Sequence, residues 1–167
     1  MEIDQQPLKV TKKASVSEFK PASLLPEKKT VSHPTEWKNE YSVGIKTVDK
    51  QHQLIMSSFA NIVNSIHSEL AWSAIHYSIL ELKELALRHF AVEDALMELF
   101  GYPKITEHQT NHENFMNRLE EILNISIRKS ANKELLALLE EWKSKHILGA
   151  DMDYAKFILS GASVIRS

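Results

Sequence analysis

The amino-acid sequence predicts an all-α protein built as an up-down antiparallel four-helix bundle. After Trp37, apolar residues recur at spacings of three and four in four separate blocks, which is the periodicity of amphipathic helices. The connections between these blocks are short, as expected when consecutive helices run antiparallel. No alternating pattern typical of strands competes with this interpretation, and 167 residues suffice for one domain with a sizeable core.

Each block carries an apolar stripe that defines the buried face of one helix. The first stripe, with Asp49 as the predicted N-cap, consists of Ile55, Phe59, Ile62 and Ile66. The second begins with Ile75, Ile79, Leu82 and Ala86, continues to Leu96 and Met97, and stops at Gly101 and Pro103. The third contains Ile105, Phe115, Leu119 and Ile122, and the fourth contains Leu135, Leu139 and Trp142.

Residues 1–34 differ in composition from the rest of the chain. They contain four of the five prolines and six lysines, but few large apolar residues. This composition is typical of a flexible extension, which could also dock a protein partner. The predicted organisation is therefore a flexible N-terminal extension over 1–34, the bundle over 35–160 and a C-terminal tail over 161–167.

Composition also excludes several classes of function. The chain has no cysteine, which rules out disulfides, thiolate zinc sites and iron–sulfur clusters. Its net charge of −2 gives no indication of a nucleic-acid or anionic-membrane partner. Neither a secretory signal nor an apolar run long enough to span a membrane is evident. We therefore expect a soluble, cytoplasmic protein.

Polar residues of metal-binding type extend the apolar stripes of all four helices. They are His52 on the first, His89 and Glu93 on the second, His108 and His112 on the third, and His146 on the fourth. Without a partner, each such group would cost on the order of a few kcal/mol to bury. A metal centre is a partner that serves all of them, and bundle cores hold such centres on residues spaced by one helical turn.

The remaining candidates are less regularly spaced. Asp151 lies five residues after His146, where the fourth helix is expected to end, so its spacing is only suggestive. The other three histidines are predicted to be bystanders, because His33 lies in the extension and His67 and His76 lie one position off their stripes.

The number and type of these groups indicate which metal they would bind. Five imidazoles and two carboxylates are too many ligands for one zinc ion, and calcium and magnesium prefer oxygen. Mixed nitrogen and carboxylate ligation suits iron or manganese, and the many imidazoles favour iron. If two six-coordinate ions share two bridging carboxylates and one bridging oxygen atom, a single coordination position stays open. An open position on a redox-active pair is what a small diatomic ligand requires.

From Trp37 to Tyr154 the chain resembles the hemerythrin family, and in particular bacterial hemerythrins. The resemblance lies in SVGIKTVDKQH ending at His52, the HFAVE run from His89 to Glu93, GYP at 101–103, HQTNH at 108–112 and WKSKHILGAD ending at Asp151. All seven ligand positions of the family pattern carry the expected residue types, which makes the signal highly specific.

The resemblance implies a non-heme diiron centre with an oxo or hydroxo bridge. By position, one iron would be held by His108, His112 and His146, and the other by His52 and His89. Glu93 and Asp151 would bridge the two ions. The implied function is reversible dioxygen binding, with dioxygen end-on at the iron that has the open position.

The resemblance also implies an apolar lining around the oxygen site. The corresponding residues are Ile55, Phe90, Trp142 and Ile147, although ordinary core packing would bury them as well. One departure follows Trp142 directly, where oxygen-carrying relatives usually have leucine and this chain has Lys143. The lysine either extends its charge outward into water or makes the pocket wetter, and we expect faster autoxidation than in leucine-bearing relatives.

Three classes of function compete on these residues. Reversible dioxygen binding for storage, delivery or sensing is favoured, in which case the protein is not an enzyme. A diiron redox enzyme acting on nitric oxide or peroxide is the first alternative, because these substrates would fit the same open position. An iron-holding bundle is the second. The sequence identifies no reductase or other protein partner.

Overall fold

The computed structural model describes residues 37–125 and 128–164, and these form a bundle of four helical rods. A short 3-10 turn at Asn39–Tyr41 precedes α1 (Lys46–His67), α2 (Trp72–Phe100) and α3 (Ile105–Leu123). The fourth rod consists of α4 (Arg128–Glu141), a π-helical segment (Trp142–Ala150) and α5 (Asp151–Val164). No strand occurs in the described ranges, so the predicted all-α bundle is confirmed.

The start of α1 corrects one prediction from the sequence. The N-cap is Ile45, not Asp49, which lies within the first turn of the helix. The Asp49 carboxylate accepts hydrogen bonds from the Val43 N–H and the Ser42 hydroxyl, both at 2.7 Å. The prediction was wrong because Asp49 orders the turn that leads into the helix and leaves the first turn of the helix itself uncapped.

The end of α2 follows the prediction closely. Gly101 adopts a left-handed conformation with φ of 64°, and its N–H donates to the Glu98 carbonyl. The next N–H, from Tyr102, donates to the Met97 carbonyl at 2.9 Å. This is the arrangement in which a glycine ends a helix, because a residue without Cβ enters the left-handed region at little cost.

The fourth rod is longer than the sequence suggested. The helix was expected to end near Asp151, but the backbone continues through the π-helical segment and directly into α5. The prediction was wrong because a five-residue spacing does not fit a regular α-helix but does fit the wider turns of a π-helix. The wider π turn absorbs the extra residue and lets the rod continue.

Two apolar clusters divide the interior of the bundle. The larger includes Ile55 of α1, Phe90 of α2 and Ile147 of the π-helical segment. The smaller includes Val48, Met97 and Tyr154 from the same rods, together with these residues: Val43, Tyr102, Ala155 and Ile158. Between the two clusters, each of these rods carries a fully buried histidine or carboxylate: His52 on the first, Glu93 on the second and Asp151 on the fourth.

Parts of the chain singled out by the sequence lie outside the described residues. The predicted extension over 1–34, with His33, is among them, as are 165–167 of the predicted tail. Residues 161–164 belong to α5. Among the helices that the structure describes, none combines the length and the apolar character needed to cross a membrane.

Candidate metal centre

The structure brings all seven predicted metal-binding side chains together in the core. They come from every rod of the bundle, and each side chain belongs to a residue no more than 4% exposed: His52, His89, Glu93, His108, His112, His146 and Asp151. Two bystander histidines, His67 and His76, lie outside this cluster, as predicted.

Helix geometry explains why these residues share one face. His89 and Glu93 are four residues apart on α2, as are His108 and His112 on α3, so each pair is aligned by one α-helical turn. His146 and Asp151 are five residues apart, which does not suit an α-helix. In the π-helical segment, however, the Asp151 N–H donates to the His146 carbonyl, and the five-residue repeat aligns these two side chains as well.

Ligand atoms form two groups that share one carboxylate. The first group consists of Glu93, His108, His112 and His146, and the second of His52, His89, Glu93 and Asp151. Within each group, all ligand atoms lie within 4.8 Å of one another. Two adjacent groups with a common carboxylate have the donor arrangement of a dinuclear site.

The two carboxylates face both groups of imidazoles. Glu93 Oε2 lies 3.3 Å from Nε2 of His89 and 3.1 Å from Nε2 of His112. Asp151 presents one oxygen to each side, with Oδ2 at 3.1 Å from His52 Nε2 and Oδ1 at 3.1 Å from His146 Nε2. Asp151, which the sequence spacing only suggested, is therefore as central to the cluster as Glu93.

Despite these short distances, several of the atoms are not aligned for a hydrogen bond with any described residue. The unpartnered buried atoms include Nε2 of both His52 and His89, Oε1 of Glu93 and both carboxylate oxygens of Asp151. In addition, Nε2 of His112 and Nε2 of His146 lie only 3.1 Å apart. An unsatisfied buried polar group costs about 1–3 kcal/mol. Cations at the focus of these atoms would satisfy all of them, so the residues present fit a metal centre.

The electrostatics of the metal-free cluster also suit metal binding. Burial lowers the pKa of His89 to about 4 and also lowers the pKa of His112. Burial alone would raise the pKa of Glu93, but His89 and the other facing imidazoles hold that pKa well below its usual value. Neutral imidazole and ionised carboxylate are the forms that bind metals.

His108 differs from its neighbours because two carboxylates face it. Burial opposes the charged imidazolium, but the facing carboxylates of Asp151 and Glu93 raise the pKa of His108 to about 9. In the metal-free protein His108 therefore carries a proton at neutral pH. Metal binding must displace that proton, so metal affinity is expected to rise with pH.

Aromatic rings hold two of the imidazoles in place. Phe90 stacks on His112 with ring centroids 3.8 Å apart and planes 8° apart. Trp142 stacks on His146 at 3.6 Å and 20°. Both aromatic residues belong to the predicted apolar lining, and they pack with its other two members, Ile55 and Ile147, in the larger apolar cluster.

Lys143 is buried beside this lining but reaches a surface carboxylate. The residue is only 7% exposed, and its Nζ lies 2.6 Å from Oε2 of Glu140, whose side chain is 60% exposed. Of the two interpretations raised by the sequence, this geometry favours a charge directed outward.

Three polar residues near the cluster were missed by sequence reasoning. Tyr154 is fully buried with its ring edge-on to His108, and burial together with Glu93 and Asp151 raises the pKa of its hydroxyl. Its position three residues after Asp151 would have identified it. Gln51 and Asp94 lie close to the outer nitrogens of His89 and His112, and only packing between helices reveals this.

Comparison with known proteins agrees with this geometry. Residues 43–158 match the family model described as the hemerythrin HHE cation binding domain. The chain is 32% identical over 120 residues to a bacteriohemerythrin of Stenotrophomonas maltophilia. The aligned residues cover 71% of this chain and 78% of that protein. The chain is 28% identical to a bacteriohemerythrin of Clostridium acetobutylicum (71% and 96% covered) and 21% identical to a myohemerythrin of Theromyzon tessulatum (74% and 93%). No solved structure gave a significant match.

Proposed function

The chain belongs to the hemerythrin family, and on this basis we propose that it binds dioxygen reversibly at a pair of iron ions inside the bundle. The observation that carries this proposal is the shared carboxylate: Glu93 belongs to two adjacent groups of ligand atoms. Five imidazoles and two carboxylates in one buried cluster are a donor set that suits iron.

Each proposed ligand has a defined role. His108, His112 and His146 would hold one iron, and His52 and His89 would hold the other, which fits the two groups of ligand atoms. Glu93 and Asp151 face imidazoles of both groups, and their two negative charges would offset part of the charge of the ions. When bound, the iron pair would supply the electrons that dioxygen binding requires.

The surrounding residues control what can reach the site. The buried side chains of Ile55, Phe90, Trp142 and Ile147 exclude water and anions, which favours a small apolar ligand over a charged one. Catalysis on an organic substrate would require polar groups beside the ligand atoms to orient the substrate. The apolar lining therefore supports binding of dioxygen rather than enzymatic turnover of an organic molecule.

Iron loading followed by an optical titration with dioxygen tests this proposal. The expected result is two iron ions per chain and a visible charge-transfer band that forms on oxygenation, disappears on deoxygenation and survives several cycles. His52→Ala should lose iron and the band, whereas His67→Ala, a histidine outside the cluster, should retain both. A band that never forms, or one that decays in a single turnover with peroxide released, would contradict reversible binding.

A further inference from the structure

Asp94 lies directly behind one of the proposed metal ligands. Its Oδ1 is 3.7 Å from Nδ1 of His112, the ring nitrogen on the side opposite to Glu93. Both atoms are buried, and neither has a hydrogen-bond partner among the described residues. Two unsatisfied polar atoms that face each other in this way form a donor–acceptor pair that needs only a small side-chain movement to close.

Packing fixes the His112 ring so that these two atoms must face each other. Phe90 stacks against the ring plane at 3.8 Å, and Nε2 points inward to Glu93 Oε2 at 3.1 Å. Asp94 has more room to move than His112, because its side chain is 34% exposed and that of His112 is 5% exposed. It lines a groove of about 540 Å³ between α2 and α3, together with Phe90 and His112.

We propose that Asp94 is a positioning residue for the metal centre: its carboxylate accepts a hydrogen bond from the His112 Nδ1–H and directs the Nε2 lone pair to the metal. This inference rests on the proposed metal function. A neutral imidazole that binds a metal through Nε2 carries its proton on Nδ1, and that proton needs an acceptor. Asp94 Oδ1 is the oxygen that faces it.

The second group of ligands has a neutral counterpart. Nδ1 of His89 lies 3.4 Å from Oε1 of Gln51, which is an amide oxygen. One half of the site thus has a carboxylate behind an imidazole, and the other half has an uncharged amide. A carboxylate that accepts a hydrogen bond from an imidazole makes that imidazole a stronger electron donor to a metal. Asp94 would therefore stabilise the higher oxidation state of a metal bound by His112, whereas the uncharged Gln51 adds no negative charge on the other side.

Zinc, a redox-inert ion that binds imidazole and carboxylate, provides a readout independent of oxygen binding. We would measure zinc affinity by chelator competition in the full chain and observe the His112 Nδ1–H proton by NMR in the zinc-loaded protein. Asp94→Ala should weaken zinc binding roughly 10-fold or more and abolish the downfield, slowly exchanging Nδ1–H signal. Asp94→Asn keeps an acceptor, so it should retain the signal with an intermediate affinity.

The matched control is Glu98→Gln, which removes the same charge from an exposed position one turn further along α2. It should leave zinc affinity and the His112 signal unchanged. With iron, Asp94→Asn should also raise the reduction potential of the metal pair, whereas Glu98→Gln should not.

Two failures are distinguishable. If wild-type protein binds zinc and Asp94→Ala matches it in affinity and in the Nδ1–H signal, the role of Asp94 is refuted and the metal site stands. If wild-type protein binds neither zinc nor iron, the proposed function fails and the role of Asp94 fails with it.

Discussion

Raising the pH above neutrality should destabilise the metal-free protein through His108. Its imidazole faces Asp151 Oδ1 and Glu93 Oε2, both at 3.3 Å, within the buried cluster. Although burial opposes the charge, these carboxylates raise the pKa of His108 from 6.5 to about 9 in the folded state. In the unfolded chain the same imidazole has its ordinary pKa of about 6.5.

The sign and size of the effect follow from this difference. The folded state binds the proton more tightly, so the stabilisation is fully present below pH 6.5 and is lost as the pH rises through about 9. Since one pKa unit corresponds to about 1.4 kcal/mol, the rise in pKa from 6.5 to about 9 amounts to about 3 kcal/mol of unfolding free energy. This is a large fraction of the total stability of a domain of this size, which is about 5–15 kcal/mol.

Urea unfolding of chelator-treated protein at a series of pH values between 6 and 10 would measure the loss. His108→Gln should have a flatter profile over this range, and His67→Gln, an exposed histidine outside the cluster, should follow wild type. Metal-loaded protein should also lack the alkaline loss, because its imidazole holds a metal in place of the proton. The reasoning is refuted if metal-free wild type keeps its stability from pH 6.5 to 9, or if His108→Gln loses as much.

Three further substitutions test other parts of the structure. Lys143→Leu should slow autoxidation, because the residue is buried next to Trp142 of the apolar lining and leucine, unlike a lysine paired outward with Glu140, carries no charge that admits water or anions; equal rates would exclude this role. Phe90→Ala should lower the free energy of unfolding by about 3–5 kcal/mol and weaken iron binding, because the stack on His112 is lost; urea unfolding and a chelator titration measure the two effects. Gly101→Ala should cost about 1–2 kcal/mol in the same unfolding assay, because alanine resists the positive φ at the end of α2, and an unchanged midpoint would count against this account.

Much of the fold could be predicted because helical periodicity is a local property of the chain. The stripes of α1, α2 and α3, and the stop at Gly101, were predicted from residues within a few turns of one another. The two errors concern backbone hydrogen bonds. Whether Asp49 caps a helix or holds the preceding turn depends on the backbone of 42–44, and the spacing from His146 to Asp151 fits a continuous rod only if the helix widens to a π turn.

The sequence by itself determined which side of each helix carries histidine and carboxylate, because side chains one turn apart must share a face. The tertiary structure alone decided that Asp151 presents its two oxygens to His52 and His146. It also decided that Asp94 and Gln51 lie behind His112 and His89, 18 and 38 residues away along the chain. These contacts join different rods, so their distances depend on how the bundle packs and not on any local pattern of residues.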